Sequence, residues 1–308
     1  MADEREPEYG QAVHNAHTSS NPPPLVLIEQ ALLHLESVVK LTEEPGASSH
    51  TVVVASGFEA DQAPEAFGRY LVGVLAGAVG HDAQLSDFLL AEGVDAREEL
   101  QKKVTSLVGL TNIFDTDSKK LFRDTKRNAW MAEGVVHAIM VLRARSESDC
   151  VEGQVHAVAS LHAIPTQQGL DSVALYLHGD ELFVAIGESK ASREDGSGQL
   201  TEAAKIFRNI DDNEYGAQLR SELATFRPIM PESLKSQVRE ALWRERRCYL
   251  PFIAHETPFD LHGNRAVLQR LNPPLERRRL IAIKLSSFHN FFDRVADSMR
   301  ATVPQVVI

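Results

Sequence analysis

Two short runs rich in apolar and β-branched residues, 172–177 (SVALYL) and 182–187 (LFVAIG), are separated only by His178, Gly179, Asp180 and Glu181. Such a pattern predicts a β-hairpin turning at Gly179 and Asp180. With a two-residue loop, residue 178 faces 181 and paired numbers sum to 359, which sets Asp171 opposite Glu188. Upstream, Trp130, Met131, Val135, Ala138, Ile139 and Leu142 recur at helical spacing and predict a helix over 128–145, with Glu133 at the margin of its apolar stripe. A strand near 155–162, the hairpin over 171–190 and a helix near 199–209 complete an αβββα succession.

Further strands are expected at 51–55 (TVVVA), 248–254 and 280–285, and helices at 64–79 and 85–103, the first with Pro64 in its opening turn. Residues 25–41 read as an amphipathic helix or as a strand followed by a helix, and 193–198 as a mobile, solvated connection. The tail over 1–24 is polar and ends in prolines, and is expected to be disordered. No internal repeat is present. Helices mixed with strands imply an α/β fold with a core and C-terminal extension over 119–308, on which residues 25–118 pack as an N-terminal accessory region.

At 308 residues and 43% hydrophobic content, the chain can bury one large core or two modest ones. Its longest apolar stretches, such as 71–79, are far shorter than the ~20 residues of a membrane span, and the N-terminus is acidic rather than a basic signal region. A cytoplasmic protein with no membrane partner is expected. Cys150 and Cys248 have no metal-ligand spacing and read as reduced, buried small residues.

The net charge of −11 argues against a surface that coats nucleic acid as a whole. The charge is uneven: residues 235–284 carry eleven Lys and Arg against five Asp and Glu, leaving the remainder at −17. A second basic run is Lys119, Lys120, Arg123, Lys126 and Arg127. Taken singly, runs such as Arg244, Arg246, Arg247 and Arg277, Arg278, Arg279 are most economically read as solvated faces.

The candidate chemistry lies in the hairpin. Directly opposed strand residues have Cβ atoms ~5 Å apart, so Asp171 and Glu188 repel unless something positive lies between them. Side chains alternate along a strand, so Glu188 and Lys190 project to one face and Ser189 to the other. Two carboxylates and an ammonium converge, an arrangement suited to Mg²⁺ or Mn²⁺ beside a lysine that orients water. The acid-x-Lys spacing is itself common: Asp117 with Lys119 and Asp124 with Lys126 also satisfy it, but without a hairpin bringing a second acid opposite. The competing reading is a solvated strand end with a surface ion pair. His255, Glu256, Asp260 and His262 match no standard metal spacing and read as loop residues, and neither a phosphate-binding glycine loop nor a nucleophile elbow occurs.

Asp171, Glu188 and Lys190 together resemble the PD-(D/E)XK nuclease superfamily, with Leu170 where that pattern has proline. Residues 56–59 (SGFE), Lys126-Arg127 leading into 133–138 (EGVVHA), 169–171 (GLD) and 186–190 (IGESK) occur in an order that looks like the HamA family, nuclease subunits of prokaryotic Hachiman antiphage defence. The likeness spans roughly residues 50–260; the long N-terminal tail and Ser189 at the variable position depart from it. It implies a nuclease-like core with a mixed sheet flanked by helices, acting on DNA with a superfamily 2 helicase partner, HamB. It also implies metal ligation by Asp171, Glu188 and the Ser189 carbonyl, water activation by Lys190, and support from Glu133 on the preceding helix. Two alternatives stay open: a non-catalytic subunit that tethers DNA or regulates the helicase, and a repair or restriction nuclease outside defence.

Overall fold

The structure, a computed structural model, describes residues 22–88, 95–145, 150–162 and 169–308. The expected tail therefore lies almost wholly outside the described residues. In chain order the elements are α1 (Pro24–Val38), β1 (Lys40–Glu44), β2 (Thr51–Ser56), α2 (Gln62–Phe88), α3 (Ala96–Val108), α4 (Asp117–Phe122) and, after a π-helical turn, α5 (Asn128–Arg145). They continue with β3 (Gln154–Val158), β4 (Ser172–His178), β5 (Glu181–Ser192), α6 (Gly196–Asp211), α7 (Gly216–Phe226), the short α8 (Glu232–Lys235) and α9 (Leu242–Glu245), then β6 (Arg247–His255), α10 (Ala266–Gln269), β7 (Arg279–Lys284) and α11 (Phe288–Thr302).

One mixed seven-stranded sheet in the order β1-β2-β7-β6-β5-β4-β3 organises the chain. Its central strands β5, β6 and β7 run parallel to one another, and β4 joins β5 through the antiparallel hairpin. Alternation divides the core in two. Phe183, Ala185, Leu250 and Phe252 face a layer containing Trp130, Val135 and Ile139 of α5, with α1, α2 and α11 behind it. Val184, Ile186, Tyr249 and Ile253 face Leu200 and Phe207 of α6 and Leu219 and Phe226 of α7. Burial on both faces is why β5 and β6 read as near-continuous apolar runs rather than as alternating ones.

The hairpin register matches the sequence pattern: His178 pairs with Glu181 and Ser172 with Gly187. Gly179 alone at the turn has a left-handed φ, +59°, the pattern of a two-residue turn with glycine first. Several expectations are revised. Of the two readings of 25–41, the helix is the one formed, over Pro24–Val38, and the strand β1 follows rather than precedes it. The helix from 62 continues to Phe88, and α3 starts at Ala96, where the Asp95 side chain accepts from the amides of Arg97 and Glu98. Residues 193–198 are not a loose connection: Asp195 caps α6 by accepting from Gly198 N–H at 2.8 Å, and Gly196 is buried against the Phe259 ring. The region 25–118 is continuous with the core, since β2 pairs in parallel with β7 and carries β1 at the sheet edge. Among the described residues no helix is long and apolar enough to cross a membrane.

Among the described residues three arginines are buried, and they and Arg246 are paired. Arg247 is buried and donates to Asp211 Oδ1 at 2.6 Å, an oxygen that also accepts from the Tyr249 hydroxyl. Arg279 pairs with Glu43, Arg246 with Glu181, and the fully buried Arg127 with Asp293 at 2.6 Å. Both cysteines are buried. Of the residues read as loop polar groups, His255 is instead the buried last residue of β6, whereas Glu256 accepts from Phe288 N–H, Asp260 from His262 and Gly263 N–H, and His262 pairs with Glu44.

Removing one member of a buried ion pair strands the other, at a cost of about 3–5 kcal/mol, whereas replacing both by apolar groups is often close to neutral. Asp211→Ala should therefore lower the urea midpoint strongly, and the double variant Asp211→Leu/Arg247→Met should recover most of the loss. An Asp211→Ala protein as stable as the parent would remove Arg247 from the structural class.

Candidate metal centre at the end of the hairpin

The site exists because two paired strands differ in length. β4 begins at Ser172, while β5 continues past Gly187 to Ser192 with β6 still alongside it. Beyond Gly187, one edge of β5 has lost its ladder partner. Asp171 takes that place: its Oδ2 accepts the Ser189 N–H at 2.7 Å. The N–H and C=O of one strand residue point to the same edge. The Ser189 carbonyl therefore faces the Asp171 side, where a backbone ligand was expected.

Strand parity groups the three motif side chains. Lys190 donates from Nζ to Glu188 Oε1 at 2.6 Å, and Glu188 is only 3% exposed. Its second oxygen, Oε2, is buried with no hydrogen-bond partner among the described residues. Glu133 reaches the same place from α5. It does not pair with His137, whose ring nitrogens instead contact the Tyr70 hydroxyl at 2.6 Å and the Ala159 carbonyl at 3.0 Å. Glu133 Oε2 lies 3.7 Å from Nδ1 of His162, and ligand atoms of Glu133, His162 and Asp171 all fall within 4.8 Å of one another.

The electrostatics follow from burying like charges. Burial raises the Asp171 pKa well above its ordinary 3.8, and the neighbouring Glu188 and Glu133 carboxylates raise it further. Burial also raises Glu188, against the opposing pull of Lys190. For Lys190, desolvation disfavours the charge, but Glu188, Asp171 and Glu133 outweigh it and the net shift is upward, so the ammonium persists at neutral pH. Three carboxylates thus share one fixed cation.

Backbone geometry aims Asp171. Gly169 adopts φ +155°, and a Cβ there would meet the Gln218 amide nitrogen at 2.8 Å; Gln218 Oε1 in turn accepts the Leu170 N–H at 3.2 Å. α7 therefore holds the approach to β4. Beside the site, a cleft of about 830 Å³ is lined by His162, Asp171, Ser172, Gln218, Glu222 and Phe226, among others. A smaller groove of about 370 Å³ between α2 and α11 lacks any acid and lysine set of this kind.

Sequence reasoning missed His162. It lies at the end of the strand expected near 155–162, but β3 pairs with β4 through an irregularity: Val155 faces Tyr176, whereas Ala157 faces Leu175. That one-residue slip has no local signal in the sequence, and His162 lies beyond β3, where no strand period assigns its side chain to a face. Beyond β3, Ala159 N–H still donates to Val173 O, and the Trp130 indole donates to the His162 carbonyl at 2.8 Å. No protein-family model matches the chain, and no curated protein matches it either.

Carboxylates whose folded pKa exceeds the unfolded value contribute stability that is present below the unfolded pKa and lost as pH rises through the folded one. For Asp171 and Glu188 that loss starts from the ordinary values of 3.8 and 4.5 and extends upward. In chelator, the melting temperature of the parent should therefore fall more between about pH 5 and about pH 8 than that of Asp171→Asn. Equal slopes would show that the carboxylates carry no such penalty.

Proposed function

We propose that this chain is a metal-dependent deoxyribonuclease of the PD-(D/E)XK type, the effector of a prokaryotic antiphage system that acts with a superfamily 2 helicase partner. The observation that carries the reading is the convergence of Asp171, Glu188 and Lys190 where β4 stops and β5 runs on. There a buried carboxylate oxygen is left unpartnered beside an open cleft. The defence role and the helicase rest on the sequence resemblance alone.

The residues fit Mg²⁺ or Mn²⁺ in donor type: Asp171, Glu188 and the Ser189 carbonyl are hard oxygen ligands. Bound there, the ion would polarise a phosphodiester and lower the pKa of a bound water. Lys190, held by Glu188, has no lone pair while protonated, so it orients the attacking water and offsets phosphate charge rather than removing a proton. Glu133 supports the water or the ion from the helix side. In hydrolysis the water oxygen bonds to phosphorus as the bond to the leaving oxygen breaks, and that oxygen ends protonated.

The tethering alternative draws less support, because the buried Arg127, Arg247 and Arg279 are engaged in ion pairs rather than forming a free basic face. A repair or restriction nuclease shares the chemistry and differs in its partner. The test is plasmid degradation with Mg²⁺ or Mn²⁺, with and without the helicase. Asp171→Ala, Glu188→Ala and Lys190→Ala should each lower cleavage by about 10²-fold or more, while Lys190→Ala keeps metal binding, since it removes no ligand. Parental cleavage by all three variants would overturn the nuclease reading. Cleavage indifferent to the helicase would overturn the two-protein system.

A further inference from the structure

His162 has no part in the acid, acid and lysine set, yet its ring points at the same place. Its side chain is 11% exposed, its backbone is anchored by the Trp130 indole, and its Nδ1 stands 3.7 Å from Glu133 Oε2. That spacing is longer than a hydrogen bond. Two ligands of one ion with ~2.1 Å bonds lie at most about 4.2 Å apart, so the pair can share a cation without rearrangement. Asp171 completes the set within 4.8 Å, a gap that side-chain movement of at least about 0.6 Å would bring inside the ~4.2 Å limit. A separate observation points the same way: Glu188, buried and interacting with both Glu133 and His162, leaves Oε2 without a partner.

We propose that His162 is a nitrogen ligand which, with Glu133 and Asp171, forms a mixed nitrogen–oxygen centre selecting a first-row transition-metal dication over Mg²⁺. The assignment rests on the reading of this site as a metal centre. It departs from an all-oxygen set in a definite direction, because imidazole favours transition metals whereas Mg²⁺ prefers carboxylate, carbonyl and water oxygens. Glu222 on α7 lines the cleft beside His162 and interacts with its charge.

The probe is Mn²⁺ added to the full chain, followed by electron paramagnetic resonance with pulsed detection of nitrogen couplings, beside calorimetric Mn²⁺ and Mg²⁺ titrations. Bound Mn²⁺ should show coupling to one imidazole nitrogen and bind at least about tenfold tighter than Mg²⁺. His162→Ala should lose the coupling and most of that preference while keeping Mg²⁺ binding. If His162→Ala does not fold, the parent spectrum still decides. Mn²⁺ that binds in an Asp171-dependent way without nitrogen coupling overturns the histidine ligand and leaves the nuclease reading intact. Nitrogen-coupled Mn²⁺ in a protein that never cleaves DNA upholds the centre and overturns the nuclease. Absence of any Mn²⁺ binding overturns the centre itself.

Discussion

Holding Asp171 and Glu188 next to one another, out of water, is the constraint on which the site depends. Each carboxylate resists ionisation because of burial, and Glu133 adds to the repulsion. One ammonium and one backbone N–H answer part of that charge: Lys190 holds a single Glu188 oxygen and Ser189 a single Asp171 oxygen. The remaining imbalance has to be met by the surrounding packing, through strands buried on both faces between α5 on one side and α6 and α7 on the other. A less firmly packed sheet end would relax by turning the acids to solvent. Stability is stored in the core and partly given up at the site, as expected where a centre is organised to bind charge.

The same constraint explains why the site draws on both sides of the sheet. Asp171 shares strand parity with Val173 and Leu175, and Glu188 with Val184 and Ile186, all of which face the α6 and α7 layer. Glu133 belongs to a helix packed on the opposite layer. The two groups meet because no strand separates them beyond Ser172. Glu133 is in turn set by the N-terminal region, since Gly134 lies so close to Leu71 of α2 that a Cβ there would meet its side chain at 2.4 Å. Residues 25–118 thus bear directly on the chemistry, through α2 against α5 and through β2 in the common sheet.

The hairpin was legible because its information is local. A tight glycine turn fixes register, and the two-residue period then assigns every side chain to a face, so the meeting of Glu188 with Lys190 and the place of Asp171 follow from counting. The helix carrying Glu133 was legible for the same reason, through its apolar spacing. What failed to show was non-local. TVVVA reads as a strand, but nothing in it names β7 as its neighbour. His162 lies past the end of β3, where no strand period applies, and β3 itself carries an irregularity between Val155 and Ala157 that only the β4 partner reveals. The basic runs gave their charge but not their partners: Arg247 looks like any surface arginine until Asp211, thirty-six positions away, is seen beneath it.

That last point bears on how such a protein would hold nucleic acid. Affinity for a duplex comes chiefly from cations placed along its phosphates, each contact releasing counterions. Here the net charge is −11 and several arginines of the basic runs are neutralised internally. Those arginines are lost to backbone contacts, whereas within the site Lys190 and any bound dication would present concentrated positive charge to one phosphate. Under the proposed function, recognition is therefore local to the scissile group, and the long electrostatic footprint that a solitary nuclease needs falls to the partner. An acidic chain with one charged, partly uncompensated pocket is a poor DNA binder and a suitable effector, because DNA reaches its site when something else delivers it.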